Sequence, residues 1–287
     1  MNLKQLQYFV TAVDEGSISA AAKRLYMSQP PLSTQLKALE EELGCVLFER
    51  GSRKITPTDA GKVLYERATV MLEMERITSD EVRSCSQQDK GTVRIGIVSS
   101  VVCSIAVPQI SKFAQKNENV QFEITEANTY QLIQKLKSGI ISMAIIRTPF
   151  VDDGFEQISL ADDSIIAVGR KSDMPEGDSI SIEKLAECKI IMYRRWEAIL
   201  REKFAEKGLI PDCICINDDA RTALSLAESG LGIAIAPASA VTVCPETLTR
   251  RKIEGCDINS QIRLVYIAAA YMPQAAKEFI DFLTQQQ

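Results

Sequence analysis

The 287-residue chain contains no histidine. That absence removes Ser-His and Cys-His catalytic units and most zinc sites together. Cysteine occurs eight times, at Cys45, Cys85, Cys103, Cys188, Cys213, Cys215, Cys244 and Cys256, but never as a C-x-x-C pair. Scattered cysteines of this kind read as reduced, mostly buried thiols. There is no glycine-rich loop to cradle phosphate and no apolar run long enough to span a bilayer. The opening MNLKQLQYFVTAVDEG carries acids and lacks a small-residue cleavage site, so it does not read as a signal peptide. These absences lead us to expect a cytoplasmic protein with no membrane partner, no metal, no cofactor and no catalytic residues. A net charge of −5 adds that any polyanion must be met by a local basic patch.

A hydrophobic content of 46% is too high for disorder and suffices for several packed domains. The first sixty residues read as three short helices. Asn2 with Gln5 forms a capping box, and Gly16 is a stop. Ser17 caps a second helix whose Ala21 and Ala22 would let another helix cross closely. Ser28 caps a third, with Pro30 and Pro31 in its first turn, where backbone N–H groups lack partners anyway. Leu32, Leu36, Leu39 and Leu43 give that helix one buried face. The stretch VLFERGSRKITPT reads as a hairpin around Gly51 and Ser52 with basic flanks. From Asp59 to about Gln88 the pattern is helical, long and only partly apolar, and SCSQQDKG is a polar hinge.

Beyond Gly91 strands and helices alternate. TVRIGIV, VQFEITEA and SMAIIR are strands separated by helical segments. KIIMY, CICIN and GIAIA repeat the order, giving two βαβαβ halves and therefore two α/β lobes. ISLADDSIIAVGR would cross between the lobes and QIRLVYIAAA would cross back. The expected divisions are 1–58, a linker helix and hinge at 59–90, a first lobe at 91–161 with 268–287, and a second lobe at 162–267.

A helix, a short turn and a second helix with a polar N-terminal face form a helix-turn-helix pattern. Opposite the leucine stripe lie Ser28, Gln29, Ser33, Thr34 and Lys37. Glutamine can pair with the N6/N7 edge of adenine, and the rings of Pro30 and Pro31 can meet thymine methyls. Arg50, Arg53 and Lys54 cluster on the hairpin, where a basic wing would meet phosphates or the minor groove. The other reading is a solvated trihelical unit. Residues 1–60 hold seven basic and seven acidic side chains, so the basic groups must be segregated for DNA binding to work.

The string AAAKRLYMSQPPLSTQLKALEEELGCVLFERGSRKITPTDAG closely resembles the LysR-type transcriptional regulators. The match runs through S-Q-P-x-L-S-x-Q-L-K-x-L-E, E-L-G-x-x-L-F-E-R and T-P-T-x-A-G, and the rest of the chain fits in length and order. The resemblance implies a multidomain α+β protein: an N-terminal winged helix-turn-helix, a dimerising linker helix and a C-terminal two-lobed effector domain like periplasmic binding proteins. It implies double-stranded DNA and a small-molecule effector as partners, and a homodimer or homotetramer that can meet RNA polymerase. Gln29, Pro30 and Ser33 would contact DNA and Arg53 would serve the wing. Thr34 and Ala38 depart from the arginine and the basic or polar residue common in the family, which alters affinity or site preference.

In α/β lobes, ligands bind at the C-terminal ends of strands beside helix N-termini. Ser99, Ser100, Asn128, Thr129, Arg147 and Thr148 fall there in the first half. Arg194, Arg195, Trp196, Asp218, Asp219 and Pro237 do so in the second. Hydroxyls, free N–H groups and paired arginines favour an anion, so a carboxylate co-inducer is expected, with Trp196 stacking on its apolar part. The YRRW segment resembles the loop of family members that sense aromatic acids. For the arginines an ion pair with Asp218, Asp219 or Glu197 is the competing reading, and for Trp196 it is packing. A redox regulator using Cys103 or the pair Cys213 and Cys215, which period two places on one strand face, remains an alternative. So does a ligand-binding module or an enzyme on the two-lobed scaffold.

Overall fold

Asn2 opens α1 (Leu3–Glu15): its side chain accepts from the Gln5 N–H at 2.9 Å and the Gln5 side chain returns the bond at 3.0 Å. Gly16, at φ 64°, stops the helix in the left-handed region that glycine enters without penalty. Ser17 caps α2 (Ile18–Arg24), and Ser28 stands at the N-cap of α3 (Gln29–Leu43) without a side-chain capping bond. The computed structural model describes residues 1–49, 55–86, 91–151, 154–243, 247–256 and 258–286. Phe9, Ala12, Ala21, Ala22, Leu32, Leu36, Leu39 and Leu47 form one buried cluster between these helices. The leucine stripe of α3 ends a turn earlier than its spacing predicts, since Leu43 is 39% exposed. Phe48 and Pro57 make an antiparallel bridge. The hairpin tip that carries Arg50, Arg53 and Lys54 lies outside the described residues. A 28-residue helix, α4 (Asp59–Ser86), follows.

The chain divides into two compact units, Met1–Gln88 and Asp89–Gln287. In the second unit β1 (Thr92–Ile97) lies between β2 (Gln121–Glu126) and β3 (Met143–Arg147), all parallel. A 3₁₀ turn (Ser99–Val101), a π turn (Val102–Ala106) and α5 (Val107–Lys116) make up the helical segment that connects β1 to β2. Next come α6 (Thr129–Lys137) and β4 (Glu156–Arg170). The second lobe contains β5 (Ser179–Ser181), α7 (Ile182–Ala186), β6 (Lys189–Tyr193), α8 (Glu197–Glu206), β7 (Asp212–Asn217), α9 (Ala220–Glu228), β8 (Ile233–Pro237) and β9 (Leu248–Glu254). Finally β10 (Asn259–Tyr266) and α10 (Gln274–Thr284) return to the first lobe.

The strand order β2-β1-β3-β10-β4-β8-β6-β7 shows how the lobes join. One strand serves both: β4 pairs with β10 over Glu156–Ser164 and with β8 and β9 from Ile165 onward. The change of partner strand, between Ser164 and Ile165, lies within ISLADDSIIAVGR. The return lies within QIRLVY, which already belongs to the first lobe's sheet. The expected second lobe, 162–267, includes β10, yet Ile262–Tyr266 pair with β3 and Ile262, Leu264 and Val265 enter the first lobe's core. The alternation of apolar residues in QIRLVY signals a strand but not which sheet accepts it.

Candidate functional site

In the first unit the N-terminal end of α3 is open to solvent. Ser28, Gln29, Pro30, Pro31, Thr34 and Lys37 are exposed and Ser33 is half-buried. This is the face that the leucine stripe leaves outward, because Leu32, Leu36 and Leu39 turn into the core. Ser19 donates to Gln29 Oε1 at 3.0 Å, which orients the amide while leaving its N–H groups without a partner among the described residues. Thr34 donates back along the helix to the Pro30 carbonyl at 3.0 Å. Lys37 sits 3.4 Å from Glu41, an exposed pair of little strength that a phosphate can displace. Just before α3, Tyr26 adopts φ 54° and is 98% exposed. Nothing in RLYMS marks the tyrosine in sequence as the residue that turns the chain.

In the second unit the expected effector residues do not share one cleft. A cavity of about 280 Å³ between the lobes is lined by Asn128, Thr129 and Tyr130 of the first lobe and by Tyr193, Arg194, Arg195 and Trp196 of the second. Pro149, Ile199 and Asp218 complete it. Ser99 and Ser100 line a different cavity of similar size, with Cys103, Arg221 and Ser239. Arg147, Thr148, Asp219 and Pro237 line neither of these two cavities.

The three arginines differ in what neutralises them. Arg147 is 1% exposed and lies 2.7 Å from Asp163, and it donates to Ser260 at 2.7 Å, Ser239 at 2.8 Å and Ser100 at 3.2 Å. It is a buried tie between the lobes, where an open ligand contact is the sequence expectation. Arg194 pairs with the exposed Asp218 at 2.6 Å, so the ion-pair reading holds for it. Arg195 donates to Thr129 Oγ1 at 3.1 Å, to the Pro149 carbonyl at 3.0 Å and to the Arg147 carbonyl. All three acceptors are uncharged, and among the described residues no carboxylate pairs with Arg195. Burial lowers its pKa from the ordinary arginine value. Its Nε and the Nε1 of Trp196 are buried without a hydrogen-bond partner among the described residues, as is the Nε of Arg147.

Other expected contacts have local duties. Asn128 and Gln131 form a capping box at α6. Thr148 accepts from the Gln261 N–H at 2.8 Å. Asp219 caps α9 and binds Arg221; burial pushes its carboxyl up, but the Arg221 bonds prevail and hold it below the usual range. Arg221 also reaches Glu126 of the first lobe at 2.8 Å. Trp196 is 1% exposed and belongs to the second lobe's core, so it forms the floor of the cavity it borders, and Tyr130, 64% exposed, is the freer aromatic wall.

Cys213 and Cys215 do not share a face. A bulge sets Cys213 beside Ile190 and Cys215 beside Ile191, and the two pack into different clusters. The extra residue shifts the alternation by one and cancels the period-two expectation. Burial pushes the Cys213 thiol up. Cys103 is exposed at the second cavity. Among the described residues no acidic, histidine or cysteine cluster could hold a metal, and no helix is long and apolar enough to cross a membrane.

A three-helix reading head followed by a two-lobed α/β unit with an interlobe cavity defines a ligand-responsive DNA-binding regulator as the class. The LysR substrate binding domain matches residues 86–287, and the bacterial regulatory helix-turn-helix protein of the lysR family matches residues 3–62. The chain belongs to the LysR family of DNA-binding transcriptional regulators with an effector-binding domain. The regulator BsdA of Bacillus subtilis is 30% identical over 294 residues, covering 98% of this chain and 99% of its own. BenM of Acinetobacter baylyi is 30% identical over 252 residues, covering 85% and 82%. Full-length CbnR complexed with its target DNA shares the fold, with a TM-score of 0.82 at 24% identity across 100% of both chains.

Proposed function

We propose that this regulator reads double-stranded DNA with the exposed N-terminal end of α3, through Gln29, Pro30, Pro31 and Ser33, and that a small carboxylate effector in the Arg195 cavity controls it. The observation that carries the effector reading is the partnership of Arg195. A half-buried guanidinium facing a cavity with only neutral acceptors is electrostatically incomplete, and a bound carboxylate supplies the missing charge. Tyr130, Ile199 and Trp196 would hold the ligand's apolar part. Thr129, Pro149 and Arg195 come from both lobes, so a ligand there favours one interlobe angle over another. Thr34, with its hydroxyl tied to Pro30, would serve as a weak phosphate contact at most. Exposed Val63, Met71 and Val82 on α4 support a homodimer, which would present two reading heads to a two-fold site. The cytoplasm is the compartment in which such a protein would work. A redox reading would rest on Cys103 alone, since Cys213 and Cys215 face apart.

The protein's single tryptophan provides the test. Trp196 fluorescence is followed while the full chain is titrated with aliphatic and aromatic carboxylates. The wild type is expected to show a saturable change with one class, and Arg195→Ala to weaken it about tenfold to a hundredfold, the worth of a charge-assisted bond. Equal affinity in the variant would remove the carboxylate reading.

A further inference from the structure

The turn that joins α2 to α3 contains an unexplained cost. Its geometry is held by the backbone: Met27 N–H donates to the Ala22 carbonyl at 3.0 Å and Tyr26 N–H to the Lys23 carbonyl at 3.1 Å. Met27, half-buried, packs on the helical core. Position 26 is thereby forced to φ 54°, and it is the one non-glycine residue with positive φ among those described. Glycine, or asparagine at smaller cost, suits this conformation, whereas a bulky side chain is strained there. Packing does not reward the tyrosine, because it is 98% exposed. The sequence thus carries a large aromatic where backbone physics favours glycine and where the folded monomer makes almost no use of the ring. Strain kept without internal compensation points to a task outside the chain.

The location names the task. Tyr26 lies two residues before Ser28, at the end of α3 that also presents Gln29, Pro30 and Pro31. Tyrosine hydroxyls are among the donors that bind phosphate oxygens, and such contacts set register on the duplex. We propose that Tyr26 is a DNA-positioning residue whose phenol donates to a backbone phosphate beside the groove that α3 enters, with its ring against the adjoining sugar. This rests on the α3 reading above. The contact adds an uncharged donor, so it releases no counterion, and it reads no base.

The test uses the full-length protein and a duplex selected by it from a random library, with binding followed by fluorescence anisotropy at several salt concentrations. Tyr26→Phe is expected to lose about tenfold in affinity, the worth of a hydrogen bond to a charged oxygen. The loss should be equal on selected and random duplexes, with the salt slope unchanged. Tyr26→Gly is expected to bind at least as weakly while unfolding at a higher temperature than wild type, a combination that a structural role for the ring does not produce. Gln29→Ala is the control for the parent reading and should lose preference for the selected duplex. If Gln29→Ala weakens binding and Tyr26→Phe does not, Tyr26 makes no phosphate contact and the proposal falls alone. If Gln29→Ala binds as wild type, the α3 reading falls and takes the proposal with it.

Discussion

At the residue scale, one glycine shows how a motif can be packing in disguise. Gly61 sits in the first turn of α4, and a Cβ built there would lie 2.2 Å from the Leu47 carbonyl oxygen and 3.0 Å from Pro57 Cβ. The oxygen is backbone and cannot rotate away, so the T-P-T-x-A-G exit ends in glycine for steric reasons. Gly61→Ala should destabilise the first unit by about 1–3 kcal/mol, as overpacking does, visible as a lowered thermal midpoint with the second unit's Trp196 signal unmoved. A wild-type midpoint would mean that the close approach relaxes freely. Local signals of this kind were legible in the sequence. The Asn2 capping box, the Gly16 stop and the prolines of α3 depend on neighbours within a few residues. The fate of Arg147 was not legible, because its partners Ser239 and Ser260 lie 92 and 113 positions away. A strand-end arginine looks the same in sequence whether it meets a ligand or a buried aspartate.

At the element scale, β7 and α4 show opposite limits of pattern reading. In β7 the spacing of Cys213 and Cys215 is that of one face, and one bulged residue reverses the conclusion. Nothing in DCICIN announces the bulge, since it arises from the register against β6. In α4 the ragged apolar spacing correctly describes a helix only partly used by its own chain: Ala68 and Ile77 are fully buried, while Val63, Met71 and Val82 are 62%, 45% and 67% exposed. At 100° per residue these exposed positions fall within about 100° of one another around the helix. A stripe of that width suits a second helix. The substitution pair Met71→Glu and Val82→Glu is therefore expected to halve the solution mass in light scattering without lowering helical content. An unchanged mass would mean that this stripe does not hold a second copy of the chain.

At the scale of the whole effector unit, the lobes are joined by the shared strand β4 and by polar ties that converge on it. Arg147 on β3 meets Asp163 on β4, Ser260 on β10, Ser100 after β1 and Ser239 beyond β8, so one buried cation holds segments of both lobes. Arg195 adds a second tie through the Arg147 and Pro149 carbonyls. The two differ in consequence. Among the described residues Arg195 has no carboxylate partner and so leaves room for a ligand, whereas the charge of Arg147 is compensated internally by Asp163, although its Nε lacks a hydrogen-bond partner. That compensation of charge has a measurable signature. Asp163→Ala leaves a buried, uncompensated guanidinium, and should cost about 3–5 kcal/mol. Replacing both partners with apolar residues of similar size, Arg147→Met with Asp163→Leu, should recover most of that loss, because the desolvation cost disappears with the charges. Urea unfolding followed by Trp196 fluorescence reads both variants. If the double variant is as unstable as the single one, the serine bonds rather than the ion pair hold the lobes, and the tie acts through geometry. If it recovers stability yet loses the proposed carboxylate response, the ion pair is retained for the angle it imposes between the lobes.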